Sequence, residues 1–434
     1  MARPVALTLE ELDRLDSVWK APGLIVTLIS VFCAFGGWAL LLPVIPLAVI
    51  DQGGSDGLAG LSTGIFMGAT VLTQAFTPRL LRGVGHMPVM FGAGLLLGLP
   101  ALVYALDMSP AVVLAVAAVR GVGFGAVTVT EAALIAELVP PHLVGRSSGV
   151  FGATVGIAQL LSFPLGMWLY SHVGTVAVLV VAAAYSVIGA VAALRLPVGR
   201  RPHVPSIPTE ATEATDHTPP RPKVATWKLV TIPGLSIGAA AGGFAAFSTF
   251  LAPAIAGVSG IALALIGGMQ IGSRLFAGWY ADRVGEPGRL NALGLLLCLV
   301  GLLTAAFTII TMPAGVWLMV GALGAAALFG AGFGVVQTEA LLMMFNRLPR
   351  ENSAQASALW NMTFDSGTGL GAVLLGFVAG TFAYQGAFIA AGIVVAAGLI
   401  ATIIDRIVGR HRIAEYGNVR ETLRSLRARI APKS

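Results

Sequence analysis

The sequence predicts an all-α integral membrane protein with twelve transmembrane helices in two six-helix, pseudo-symmetric halves. Three observations predict it. Hydrophobic residues make up 56% of the 434-residue chain and charged residues only 11%, where a soluble protein carries about 25% charged residues. The basic residues fall on every second connection between apolar segments. Short glycine-containing motifs recur in the same order in the two halves of the chain.

Residues 1–21 read as a cytoplasmic amphipathic segment, in which Thr8 and Glu11 match a capping box and Leu9, Leu12 and Leu15 form a helical stripe. Glu10, Glu11, Asp13 and Asp16 precede the first apolar run. A signal peptide would have a basic start and a cleavage site instead, so the first span is expected to be retained. Twelve segments long enough to cross a hydrocarbon core of about 30 Å follow. They lie near 22–50, 57–77, 87–107, 110–139, 147–171 and 173–196, and near 229–256, 258–281, 289–310, 313–345, 354–380 and 383–405. The first six form an N-terminal bundle (22–196) and the last six a C-terminal bundle (229–405). Between them, 197–228 is Thr/Glu/Pro-rich with almost nothing apolar to bury, and is expected to be a disordered cytoplasmic linker. In the tail, 406–434, Val419, Leu423, Leu426 and Ile430 keep helical spacing with Arg420, Arg424, Arg427 and Arg429 between them. That pattern suits a basic amphipathic helix on the inner membrane surface. The patch is small and abuts the membrane, so no nucleic-acid partner is expected.

Sidedness follows from the distribution of positive charge. The even-numbered connections hold Arg79 and Arg82; Arg146; Arg195, Arg200, Arg201, Arg221, Lys223 and Lys228; Arg283 and Arg289; and Arg347 and Arg350. The odd-numbered connections hold Asp51, Asp56 and Asp107 and no Lys or Arg. Both termini are therefore expected on the cytoplasmic side. The abundance of Arg over Lys, with much Ala, Gly and Val, fits a GC-rich bacterial genome and hence a bacterial plasma membrane. Cys33 and Cys298 both fall inside apolar spans and read as small buried hydrophobes.

Only Arg120 and Arg274 among the basic residues lie within spans. Span 4 carries Arg120 and Glu131, eleven residues apart. At about 100° per residue the two share a helix face with a rise of about 16 Å between them. A charge at bilayer depth costs roughly 2.5–3.5 kcal/mol, so such groups face a bundle interior or a water-filled path. At an offset of 209, Gly123-Phe124-Gly125 falls on Gly332-Phe333-Gly334, Pro140 on Pro349, and Ser148–Thr154 on Ser357–Thr363. At an offset of 206, Gly36-Gly37-Trp38 falls on Gly242-Gly243-Phe244, and at 200 Val84-Gly85 falls on Val284-Gly285. Glu339 faces Thr130 in the repeat frame and Glu131 faces Ala340, so the halves share a scaffold but not the same charges. Two six-span repeats place a substrate path at their interface, near the midplane.

These features together resemble the major facilitator superfamily of transporters, over essentially the whole chain. The loop after span 8, Gly278-Trp-Tyr-Ala-Asp282-Arg283-Val-Gly285, is similar to the family loop signature G-x-x-x-D-R-x-G. The start of span 4, Arg120 followed by glycines, resembles the signature whose arginine is linked to proton coupling. The resemblance implies that Gly278, Asp282, Arg283 and Gly285 govern the conformational switch. The loop after span 2 departs from the signature: Arg82 stands where the family has aspartate. Only the C-terminal copy can then latch the cytoplasmic side. The glycine-proline signature of many antiporters is not matched in span 5, where Gly152, Gly156, Pro164 and Gly166 stand. Ala-Glu-Leu-Val-Pro-Pro after span 4, with Ala-Ser-Ala-Leu-Trp-Asn in span 11, resembles bacterial efflux-type members.

Glu131, Asp365 and Glu339 are the candidate proton carriers, since a carboxyl alternately hydrated and buried can switch protonation. Arg120 either tunes one of them or holds an anionic solute, and a permanently paired structural role is the alternative for each. Trp38, Phe244, Gln159, Gln270, Gln337, Trp360 and Asn361 are the candidate substrate contacts. Forming cavity walls or helix-to-helix hydrogen bonds is the alternative role for each. Asn361 and Asp365 are four apart and expected to share a face. Arg274 shares a face with Gln270 near the end of span 8 and is grouped with the switch residues. There is no P-loop, zinc-ligand spacing or nucleophile elbow, so no enzyme activity, cofactor or metal is expected. The expected activity is proton-coupled export of small amphipathic organic compounds by a monomer working through alternating access. Its partners would be a small-molecule substrate, protons and the lipid bilayer. Import or exchange of a small organic anion, and a non-transporting membrane sensor, are the alternatives.

Overall fold

Inside a bilayer every backbone amide needs an internal partner, which helices supply within one segment. The computed structural model describes residues 11, 14–140, 143–197, 226–255, 257–284, 287–348 and 353–408, and among these residues the regular structure is wholly helical. The spans are α1 (Leu24–Asp51), α2 (Asp56–Val84), α3 (His86–Ala105), α4 (Pro110–Glu137), α5 (Val144–His172) and α6 (Thr175–Ala193) in the first half. The second half has α7 (Thr226–Ala254), α8 (Ser259–Val284), α9 (Asn291–Thr311) and α10 (Val316–Arg347). A final helix, Ser353–Val408, has 56 residues. Straight, it would be about 84 Å long, nearly three hydrocarbon thicknesses. It is broken at Phe382 (φ −118°, ψ 16°) and Ala383 (φ 56°, ψ −177°). The break yields α11 (353–381) and α12 (384–408), and with them the expected twelve crossings.

Local chemistry sets the ends. Ser55 caps α2 by accepting a hydrogen bond from the Leu58 N–H at 3.1 Å. Pro110 opens α4, where its missing N–H costs nothing. Gly85, at φ +89°, turns α2 into α3. Helix α7 begins at Thr226 and α12 runs to Val408, each three residues beyond the expected bundle limits. Most of the expected N-terminal segment, linker and basic tail lies outside the described residues. The described part of 1–21 includes a 3₁₀ turn at Val18–Lys20.

One end of the bundle gathers the ends of both halves. Gly23 packs on Pro197 and Leu138, while Arg347 donates to the Leu229 carbonyl at 3.2 Å and pairs with Asp405. This is the linker end; the other is the far end. Many large apolar side chains, Leu72, Phe76, Leu275, Phe307, Leu370 and Ile393 among them, are exposed on the spans. That suits a multi-pass protein whose outer surface meets lipid tails.

The repeat is visible in packing. Around α4, a Cβ on Gly121, Gly123 or Gly125 would lie 2.2 Å from the Phe66 carbonyl oxygen, 2.5 Å from the Leu97 nitrogen or 2.4 Å from the Thr70 carbonyl oxygen. Around α10, a Cβ on Gly330, Gly332 or Gly334 would meet the Ile266 carbonyl oxygen at 2.6 Å, the Gly294 carbonyl oxygen at 2.4 Å and the Gln270 carbonyl oxygen at 2.4 Å. Both helices use three glycines, two apart, to reach the backbones of the two preceding helices, in register at the 209-residue offset. Only glycine permits that approach.

The halves meet along two helix pairs. On α2 and α11, Gly60 faces the Ala372 carbonyl, Gly376 faces the Asp56 carbonyl, and Gly369 packs on Met67. On α5 and α8, Gly260 packs on Met167, Gly267 on Leu160, and Gly156 on Ile271. The Tyr384 hydroxyl donates to Asp56 at 3.1 Å, so the far end also has a polar tie between halves. Toward the linker end, Gly83, Gly149, Gly152 and Gly278 on three of these four helices have open space beside them. The described contacts thus close the far end.

Candidate functional site

The polar centre of the interface is a hydrogen bond between the halves. The Gln74 amide on α2 donates from Nε2 to Asp365 Oδ2 on α11 at 2.7 Å. Both side chains are buried. The same nitrogen lies 3.5 Å from the Thr128 hydroxyl on α4, and Gln74 Oε1 has no donor among the described residues. A carboxyl group, an amide and a hydroxyl therefore connect α11 to α2 and α4, one turn before Glu131. The sequence reading did not single out Gln74. The signal for it is a stripe on α2: Ser62, Thr63, Thr70, Gln74 and Thr77 recur near helical spacing, and all are buried.

Glu131 is fully buried inside the first half. Its Oε1 accepts a hydrogen bond from Ser30 on α1 at 2.9 Å, and Oε2 has no donor among the described residues. Arg120, on the same helix, has other neighbours. Its Nε donates to the Leu97 carbonyl at 3.0 Å, and its guanidinium lies 5.4 Å above the Phe66 ring. The structure does not bring Arg120 to any of the three candidate carboxyls. Glu339 is buried on α10.

The aromatic candidates are part of a belt of packed rings. Trp38 is stacked on Phe124 at 5.4 Å, and its repeat mate Phe244 is stacked on Phe333 at 5.2 Å. Phe163 on α5 touches both, at 6.3 Å from Trp38 and 6.3 Å from Phe244. Trp38 and Phe244 are 4% and 1% exposed. With both rings packed on protein, neither offers a free face for a substrate in this conformation. On the other side the belt continues through Phe364 to Trp360, with rings 5.8 and 5.6 Å apart.

Three predicted contacts come together in the second half. Gln270 Nε2 donates to Gln337 Oε1 at 3.1 Å, and Trp360 Nε1 donates to the Gln337 carbonyl at 3.1 Å. Gln159 is buried on α5. Asn361 and Asp365, four apart on α11, have different partners. Asn361 is exposed and bonds to the Ser357 carbonyl of its own helix at 2.9 Å, while Asp365 turns to Gln74. Arg274 is half-buried, and its carbonyl accepts from Thr338 at 3.5 Å. Of the switch residues, Gly278 is half-buried, Arg82 and Arg283 are exposed, and the Arg283 guanidinium lies 5.4 Å above the Trp279 ring. The Asp282 side chain and Gly285 lie outside the described residues.

Comparison with known proteins gives the same architecture. The family description Major Facilitator Superfamily matches residues 27–371. An uncharacterised MFS-type transporter of Mycobacterium tuberculosis is 29% identical over 143 residues, 33% of this chain and 21% of that protein. A purine ribonucleoside efflux pump of Escherichia coli is 26% identical over 226 residues, 50% of this chain and 53% of the pump. The matches thus span about a fifth and about half of these relatives. Among solved structures, a peptide transporter in complex with alafosfalin superposes with a TM-score of 0.66 at 17% identity, covering 90% of this chain and 95% of that one. A nucleoside transporter gives 0.61 at 13% identity, covering 88% and 99%. At these identities the likeness concerns the fold.

Proposed function

The chain belongs to the major facilitator superfamily, and on that premise we propose that it exports small amphipathic organic compounds across a bacterial plasma membrane in exchange for protons. The observation that carries this reading is the bond between Gln74 and Asp365. It places an ionisable group on the surface where two rocking halves must part. An anionic Asp365 accepts from the Gln74 amide and holds the halves together. A protonated Asp365 has an O–H that needs an acceptor, and Gln74 Oε1 has no donor among the described residues, so the contact between the halves differs between the two protonation states. Proton binding thereby biases one packing of the halves over the other, which is what coupling requires. Glu131, with one oxygen on Ser30 and the other without a donor among the described residues, is a second carrier inside the first half. With the linker end cytoplasmic, the described contacts correspond to a closed outer side. The relative named as a purine ribonucleoside efflux pump supports export. Organic-anion exchange at Arg120 finds less support, because the guanidinium is buried and its Nε is bonded to the Leu97 carbonyl in this conformation.

The test uses inside-out membrane vesicles energised to an acidic, positive interior. A panel of purine ribonucleosides and amphipathic drugs is added while the internal pH is followed by a fluorescent dye. Substrate-dependent proton release by the wild type, and none by Asp365→Asn, is the expected result. Substrate uptake without proton movement would refute the coupling.

A further inference from the structure

The turn between α11 and α12 lies at the far end, where the halves close on each other. Among the described residues seven glycines take a positive φ, and the non-glycine exceptions are Met312 and Ala383. Met312, at φ 38° and ψ 57°, lies in the left-handed helical well. Ala383 shares the left-handed φ of 56°, but its ψ of −177° carries it out of that well. It borders a region of backbone space that is essentially glycine's own, where a Cβ is strained. Ala383 is exposed, so packing of its own methyl group does not offset that strain. Glycines stand nearby at 380 and 386, but alanine holds the position that needs one.

Such a conformation persists only where its neighbours hold it, and the next residue has two anchors. The Tyr384 ring stacks on Phe250 of α7 at 6.4 Å, within the second half. Its hydroxyl donates to Asp56 Oδ1 of α2 at 3.1 Å, across to the first half. Asp56 sits where α2 comes closest to α11: a Cβ on Gly376 would lie 2.7 Å from its carbonyl oxygen. Asp51, the other carboxylate flanking the α1–α2 connection, is engaged within the first half, accepting from Tyr170 of α5 at 2.6 Å. Of the two, Asp56 reaches across.

We propose that the turn at 382–384 is a loaded latch: the bond from Tyr384 to Asp56 holds the far end shut, and the same bond keeps Ala383 strained. When α2 and α12 part, Tyr384 loses its partner across the interface and the turn relaxes. The strain then belongs to the closed arrangement and not to the open one. Alanine at 383 lowers the closed-to-open ratio about tenfold relative to glycine, the scale of one strained backbone site. The latch requires that the halves rock and is independent of substrate, direction and proton coupling.

The test places spin labels at Leu106→Cys and Ala314→Cys in the full-length protein, exposed positions on far-end connections of opposite halves. Cys33 and Cys298 are buried and stay unlabelled. Distances are read by pulsed electron spin resonance in lipid nanodiscs, with no substrate and no proton gradient. Tyr384→Phe should move population from the shorter distance to the longer, and Asp56→Ala, which removes the acceptor, should do the same. Ala383→Gly should raise the short-to-long ratio about tenfold, and should no longer change it in the Tyr384→Phe background. If the shorter distance already accounts for all of the wild type, Ala383→Val, which adds a β-branch at the same φ, should bring out the longer one. Unchanged distances in both Tyr384→Phe and Asp56→Ala, a ratio indifferent to the residue at 383, or an equal effect of Ala383→Gly with and without Tyr384→Phe would each overturn the latch.

Discussion

At the residue scale, two carboxyls have different surroundings and should fail differently. Asp365 faces the other half through Gln74, so Asp365→Asn should abolish proton-driven export while substrate exchange across the membrane persists, as counterflow in proteoliposomes would show. Gln74→Ala removes the donor of a buried carboxyl group. It should lower thermal stability by about 1–3 kcal/mol, read from the unfolding midpoint, and should also loosen coupling. Glu131 is tied to Ser30 within the first half, so Glu131→Gln should slow coupled transport and leave the contact between halves intact. Near-wild-type coupled transport in Glu131→Gln would confine it to a structural role. Both carboxyls are legible in the sequence because a charge inside an apolar run stands out. Gln74 is less so, because it is uncharged and stands among the threonines and serines of α2. Its partner lies 291 residues away, a pairing no local spacing encodes. The stacking of Trp38 and Phe244 was equally hidden, since an aromatic ring reads the same whether it packs on protein or on a ligand.

At the scale of helices, the three-glycine rows of α4 and α10 set how closely each half can pack. Gly123→Ala and Gly332→Ala would press a methyl group into the backbones of α3 and α9, where the built positions are 2.5 Å from the Leu97 nitrogen and 2.4 Å from the Gly294 carbonyl oxygen. Each should cost about 1–3 kcal/mol, measurable as a lowered unfolding midpoint. Gly149→Ala, which meets open space, is the control and should change little. The sequence made the repeat visible through these same glycines, because close helix packing leaves a residue-type signature at fixed offset. It also separated the last two spans, near 354–380 and 383–405. It could not show that the turn there is a left-handed Ala383 (φ 56°). A Cβ is disfavoured at that φ, and nothing in the residue type announces it.

At the scale of the whole molecule, the two halves touch through α2–α11 and α5–α8 and are closed at the far end by Tyr384 on Asp56. Twelve crossings, the two halves and the positive-charge asymmetry are legible in the sequence because they rest on hydropathy, length and charge, which every residue reports. The state of the path is not, because two packings of the halves share one sequence. Exposed Asn361, changed to Cys, should react with a membrane-impermeant maleimide from the linker end and be protected when the halves close there. The most direct test of the account is the proton balance of the Gln74–Asp365 contact. In energised inside-out vesicles, the wild type should release internal protons on addition of a transported compound, and Asp365→Asn should release none while still exchanging that compound. Undiminished proton release by Asp365→Asn would contradict it.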